Sequence, residues 1–172
     1  VSTKFSPLLN LPPLPKLYIK EGLGSVFNFS DPSKGETFVY ATPAVLFSKT
    51  KFVELLKEKF NTEIICRYLK NPPNSIYDWH TDRFRLTAIN WIVKSNPEAR
   101  VWYRSNNQHK LFWDLEEVTY QDHYPTLLDT KQEHSVFNNS DEERIILSLS
   151  LTDGPTYQEV VDFLTSLKIT QY

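Results

Sequence analysis

The sequence predicts a mainly β fold with flanking helices, arranged as a double-stranded barrel or jelly roll. Three observations predict it. Six short runs rich in Ile, Val, Leu and aromatic residues succeed one another through the middle of the chain. Polar or proline-bearing turns separate them, and helical periodicity is confined to the two sides. A β-sandwich without a central site is the alternative arrangement of the same strands.

Ser6 to Lys16 is punctuated by Pro7, Pro12, Pro13 and Pro15, with leucines between them. Proline fixes φ and removes a donor, so this stretch reads as an extended arm lying on the domain, where its leucines find cover. A proline-rich ligand for a partner is the other reading. Lys51 to Phe60 reads as a helix, because Phe52, Leu55, Leu56 and Phe60 recur at helical spacing among lysines and glutamates. Strands are expected over Glu63–Leu69, Leu86–Val93, Arg100–Arg104, Thr126–Asp129, Ser135–Phe137 and Arg144–Leu151. Thr156-Tyr157-Gln158-Glu159 is a capping box after Gly154-Pro155, and Val160, Val161, Phe163, Leu164 and Leu167 give a second amphipathic helix. The 172 residues read as one domain: an arm and support over 1–48, a helix over 49–61, a β core over 62–152 and a C-terminal helix over 155–169.

With 4 Trp, 9 Tyr and 11 Phe the chain can fill a core without disulfides. A net charge of −2 argues against a surface built to coat phosphate backbones, so nucleic acid is not an expected partner. Arg83 and Arg85 remain compatible with a small anionic partner. Cys66, the single cysteine, follows Ile64-Ile65 and reads as core rather than nucleophile. No segment approaches the ~20 apolar residues of a membrane helix. The start of the chain lacks a basic-then-apolar leader pattern, so the cytoplasm is the expected location.

The residues with chemistry to offer are few. Of four histidines (His80, His109, His123 and His134), only His80 has an acid two residues on, Asp82. In extended backbone, i and i+2 share a side, so His80 and Asp82 can bind one ion together with Thr81 pointing away. His134 is the best third ligand. It opens a strand, a polar turn follows over Asn138–Glu143, and Arg144 opens the next strand. This reads as a hairpin that brings both arms onto one face of a sheet. Arg144 leads an otherwise apolar and serine-bearing run, and a guanidinium there needs an anion. Two imidazoles and a carboxylate on one face leave open positions for a co-substrate and oxygen.

Tyr77-Asp78-Trp79-His80-Thr81-Asp82 and His134-Ser135-Val136 through Arg144-Ile145-Ile146-Leu147-Ser148 together resemble the iron(II)- and 2-oxoglutarate-dependent oxygenases, in particular their small prolyl-hydroxylase-like members. The resemblance runs from about Cys66 to Leu151. It implies a double-stranded β-helix, with His80, Asp82 and His134 as iron ligands and catalytic residues, and Arg144 on the far carboxylate of 2-oxoglutarate. Arg67-Tyr68 resembles an arginine–tyrosine pair common upstream in that branch, which implies Tyr68 as a co-substrate ligand. Asn90, on the next strand, falls where a polar side chain often faces the co-substrate. Ser150 stands where nucleic-acid demethylases carry a second arginine.

The resemblance implies hydroxylation of a protein side chain, amino acid or other small molecule, with iron(II), 2-oxoglutarate and O2 consumed in the site and ascorbate as a possible reductant. Trp79, Arg83, Phe84, Arg85, Trp102, Tyr103 and Arg104 are placed near enough to the motif to meet the substrate. Two readings of other classes compete. A β-sandwich or jelly-roll binding module accounts for strands and aromatics without chemistry. A cupin-type metal-dependent hydrolase or isomerase uses the same ligands but has no need of Arg144.

Overall fold

The computed structural model describes residues 4–29, 40–106, 113–167 and 172. Its strands are β1 (Phe5–Pro7), β2 (Asn28–Phe29), β3 (Tyr40–Pro43), β4 (Glu63–Asn71), β5 (Ser75–His80), β6 (Arg85–Lys94), β7 (Ala99–Asn106), β8 (Trp113–Glu117), β9 (Thr126–Asp129), β10 (His134–Asn138) and β11 (Arg144–Thr152). Its helices are α1 (Lys16–Leu23), α2 (Lys51–Phe60) and α3 (Tyr157–Ser166).

Two antiparallel sheets face each other. The larger has the order β1-β9-β6-β11-β4-β3-β2, and the smaller β5-β10-β7-β8. The chain alternates between them in the manner of a double-stranded β-helix, the fold class the sequence predicts. No helix among the described residues is long and apolar enough to cross a membrane.

Strand alternation divides the large sheet into two faces. On β11, Ile145, Leu147, Leu149 and Leu151 point to one face, joined by Ile64, Cys66 and Tyr68 of β4 and Ile89, Trp91 and Val93 of β6. The helices cover this face. Phe52, Val53 and Leu56 come from α2, and Val160 and Leu164 from α3. The Thr50 side chain accepts from Val53 N–H to start α2, Asn61 ends it at φ 47°, and the Thr156–Glu159 capping box starts α3. The proline-punctuated segment lies against the apolar layer. Leu8, Leu11 and Leu14 are buried in the same apolar layer, and Leu8 and Leu14 donate their N–H groups to Pro125 and His123 carbonyls at 2.9 and 2.7 Å.

Helix α1 was not legible in the sequence. It is only eight residues long, enters at Pro15, and buries Gly22 alone among its residues. A Cβ on Gly22 would lie 2.8 Å from the Tyr68 ring, so glycine lets the helix rest on that side chain.

The structure corrects the expected hairpin. β10 pairs with β5 and β7, whereas β11 pairs with β4 and β6. The turn between them crosses from one sheet to the other, pinned by Asn138. The Asn138 side-chain amide donates to the carbonyls of Asn71, Pro72 and Glu142. His134 and Arg144 therefore belong to opposite walls rather than to one face.

Candidate metal centre

His134 opens β10 directly opposite His80, the last residue of β5. Their rings lie 4.3 Å apart between centroids. Asp82 lies beyond the end of β5, so strand alternation does not place it. Its N–H donates to the Thr130 carbonyl at 2.9 Å, and Lys131 Nζ donates to its carbonyl at 3.0 Å. These bonds turn the carboxylate back toward the histidines. Asp82 Oδ1 is 3.8 Å from His80 Nε2, and Asp82 Oδ2 is 4.0 Å from His134 Nε2. One donor atom from each residue lies within 4.8 Å of the other two. Thr81 faces the same cavity rather than away from it.

The ring nitrogens are committed in a way that suits a cation. His80 Nδ1 meets the Asp78 carbonyl at 2.6 Å, and His134 Nδ1 meets the Gln132 carbonyl at 2.9 Å. A carbonyl only accepts, so each Nδ1 carries the proton and each Nε2 presents a lone pair. His80 Nε2 is buried without a hydrogen-bond partner among the described residues. Burial lowers the pKa of His80 and takes that of His134 down to about 4, keeping both rings neutral at pH 7. The donor set and the orphaned nitrogen fit a divalent metal such as iron. Arg85 Nε donates to Asp82 Oδ2, and its Nη1 reaches Ser150 Oγ at 3.1 Å, tying the carboxylate to β11.

The triad opens into a cavity of about 430 Å³ between the sheets. Arg144 and Asn90 both line it, from β11 and β6. Arg144 is 2% exposed. Its Nη1 donates to Asn71 Oδ1 at 3.2 Å, its guanidinium stacks 4.8 Å over the Tyr120 ring, and its Nη2 is buried without a partner among the described residues. Among those residues Asn90 Oδ1 and the Tyr120 hydroxyl are also buried and unpartnered. Such groups are costly unless something meets them. Tyr120 and Asn71 escaped the sequence reading. Tyr120 sits in the β8–β9 connection, where no periodicity marks it.

Tyr68 requires a correction. Along β4, Ile65, Arg67, Leu69 and Asn71 line the cavity, so alternation turns Tyr68 to the opposite face. There it is wholly buried, its hydroxyl donating to Glu21 Oε2 at 2.8 Å with the Tyr18 carbonyl also 2.8 Å away. It supports α1 and does not reach the cavity. Cys66 shares that buried face, and burial pushes its thiol up to about 11, as befits core. Among the residues near the motif, Arg83, Phe84 and Arg85 line the cavity. Trp79 and Trp102 instead line a shallow groove elsewhere, and Arg104 lies 4.7 Å over the Trp79 ring. Tyr103 is buried, its hydroxyl spent on the Asp129 carbonyl. His123 engages the Ile92 carbonyl 3.1 Å away, and His109 lies outside the described residues.

No family model and no curated protein matches the sequence. Solved structures do match the fold. A Pseudomonas putida prolyl-4-hydroxylase superposes with a TM-score of 0.56 at 14% identity, covering 87% of this chain and 93% of that one. A prolyl hydroxylase from Trichoplax adhaerens, in complex with a peptide fragment of a hypoxia inducible factor, gives 0.56 at 13% identity over 88% of this chain and 80% of that one. The non-heme α-ketoglutarate-dependent epimerase SnoN of nogalamycin biosynthesis gives 0.54 at 12% identity over 91% and 79%. The chain thus has the double-stranded β-helix fold of the prolyl hydroxylases and related iron- and 2-oxoglutarate-dependent oxygenases.

Proposed function

We propose that this chain is an iron(II)- and 2-oxoglutarate-dependent dioxygenase that hydroxylates a protein side chain, an amino acid or another small molecule. One observation carries the reading. Unsatisfied buried groups gather at separate places along one cavity: His80 Nε2 within the triad, and Arg144 Nη2 with the Tyr120 hydroxyl farther along it. A keto diacid offers chelating oxygens at one end and a carboxylate at the other, which matches that division.

His80, Asp82 and His134 would hold the ion. An iron(II) ion held there would let dioxygen take two electrons from the keto acid and two from the substrate carbon. One oxygen atom ends in succinate and the other in the new hydroxyl, and the keto acid loses CO2, so no further reductant is consumed in a coupled turnover. Arg144 Nη2 donates to the far carboxylate of the co-substrate, its charge undiminished by Asn71, which is neutral. Tyr120 adds a hydroxyl donor to the same carboxylate. Asn90, in the β6 row that pairs with Ser148, is placed to orient the co-substrate between the two ends.

The assay is succinate formation by purified protein given iron(II), ascorbate and 2-oxoglutarate, alongside His80→Ala and Arg144→Ala. Turnover by the native chain that both substitutions abolish is the expected result. Protein that binds neither iron nor 2-oxoglutarate would sink the reading. Metal binding indifferent to 2-oxoglutarate would favour a cupin-type hydrolase or isomerase instead.

A further inference from the structure

The cavity carries more positive charge than the proposed cofactors need. Arg67, Arg83, Arg85 and Arg144 line it, and among the described residues Asp82 is the only carboxylate to do so. A divalent ion and dianionic 2-oxoglutarate cancel each other, so three positive charges remain in excess within a chain of net charge −2. Three of the arginines are engaged. Arg85 holds Asp82, Arg144 bonds Asn71, and the Arg83 guanidinium lies 5.1 Å from the Phe84 ring centroid. Arg67 is exposed, faces the cavity between Ile65 and Leu69, and its guanidinium has no hydrogen bond or ion pair among the described residues.

We propose that Arg67 receives a carboxylate of the substrate, which is therefore an acid: a free carboxylic acid or an acidic side chain of a peptide. This rests on the oxygenase reading of the site. Register places Arg67 on the triad's side of the co-substrate anchor. Arg67 pairs with Ser148, whose Oγ lies 3.4 Å from Arg85 Nη1, and Arg85 in turn holds Asp82. Arg144 pairs with Asn71, four residues along β4 and so about 13 Å away at ~3.3 Å per residue. Asn90 and Arg67 flank Ser148 in one row, on β6 and β4, so a co-substrate running from Arg144 past Asn90 leaves the β4 side of that row, with Arg67, for a second ligand. The guanidinium fork meets a carboxylate in two parallel bonds, and Ile65 and Leu69 offer an apolar bed for an aliphatic stem. A neutral substrate would leave the excess charge unanswered.

Calorimetry on protein loaded with Mn(II) and 2-oxoglutarate tests this. The probes are N-acetylated aliphatic amino acids of graded size, their carboxamides, a blocked glutamate-containing tripeptide and inorganic phosphate. At least one acid or the peptide should bind, with the matching amide at least tenfold weaker. Arg67→Ala and Arg67→Gln should each weaken that binding tenfold or more, Arg67→Lys less, and all three should leave 2-oxoglutarate affinity within about twofold. Preference for the free acids or for the peptide identifies the source of the carboxylate. Equal binding of acid and amide, no binding of any acidic probe, phosphate binding as tightly as the acids, or loss of 2-oxoglutarate binding in the Arg67 variants would overturn the assignment. A native protein that takes up neither metal nor 2-oxoglutarate would mark failure of the oxygenase reading. In that event, titration of the metal-free native and Arg67→Gln proteins still decides the role of Arg67.

Discussion

His134 and Arg144 stand on opposite walls of one cavity, although only a five-residue turn separates their strands. The turn between β10 and β11 carries the chain from the wall that bears both histidines to the wall that bears the guanidinium. Metal and co-substrate binding are therefore separable by mutation. Arg144→Ala should leave Mn(II) affinity nearly unchanged while weakening 2-oxoglutarate by at least about thirtyfold, from the ~2–5 kcal/mol that truncating one partner of a buried charge pair costs. Arg144→Lys should recover only part of it, because the point charge lacks the fork. Calorimetric titration of each ligand in turn checks both.

Tyr68 sits behind the sheet, so Tyr68→Phe should not alter 2-oxoglutarate affinity. It removes the hydroxyl that meets Glu21 and the Tyr18 carbonyl, and should cost about 1–2 kcal/mol of stability. Chemical denaturation together with a 2-oxoglutarate titration separates the two effects.

Gly22→Ala should destabilise the protein by about 1–3 kcal/mol despite the better helix propensity of alanine. The added methyl would meet the Tyr68 ring at 2.8 Å and Val93 Cγ1 at 3.0 Å. A fall in Tm with unchanged metal affinity is the expected result, and an increase in Tm would show that α1 packs more loosely than described.

The metal-free protein should lose stability as the pH falls from about 6.5 toward 4. The folded-state pKa of His134 lies at about 4, below the 6.5 of an unperturbed imidazole, and burial is the main cause. The unfolded chain thus binds more protons in that window, and stability is complete above it and declines within it. The loss from this residue is on the order of 3 kcal/mol at most, with His80 acting in the same direction. Thermal melts in chelator across pH 4–8 should show it, and the same melts with Mn(II) should show a larger difference between pH 7 and pH 5, since protons compete with the ion.

Much of this was legible in the chain. Ile and Leu alternating with Ser along Arg144–Thr152 announce a strand with one apolar and one polar face, and Lys51–Phe60 announces its helix. His80, Asp82 and His134 stand out because few other residues carry ligand atoms in a strand context. The misreadings share a cause, which is that local pattern does not carry parity or sheet membership. Arg67 and Tyr68 are neighbours, and only the true extent of β4 decides which of them faces inward. The turn after His134 looks like a hairpin because a sheet crossing uses the same polar residues. Tyr120 and Asn71 acquire meaning only through Arg144, with which they share no sequence spacing.

The two faces of β11 set a limit on how this chain can change by inheritance. Gain or loss of a single codon within Arg144–Thr152 reverses the facing of every residue beyond it. A change just after Arg144 would make Ser148 and Ser150 exchange places with Leu147, Leu149 and Leu151, burying polar groups and exposing apolar ones at one stroke. Lineages descended from this chain are expected to keep the length of that segment fixed.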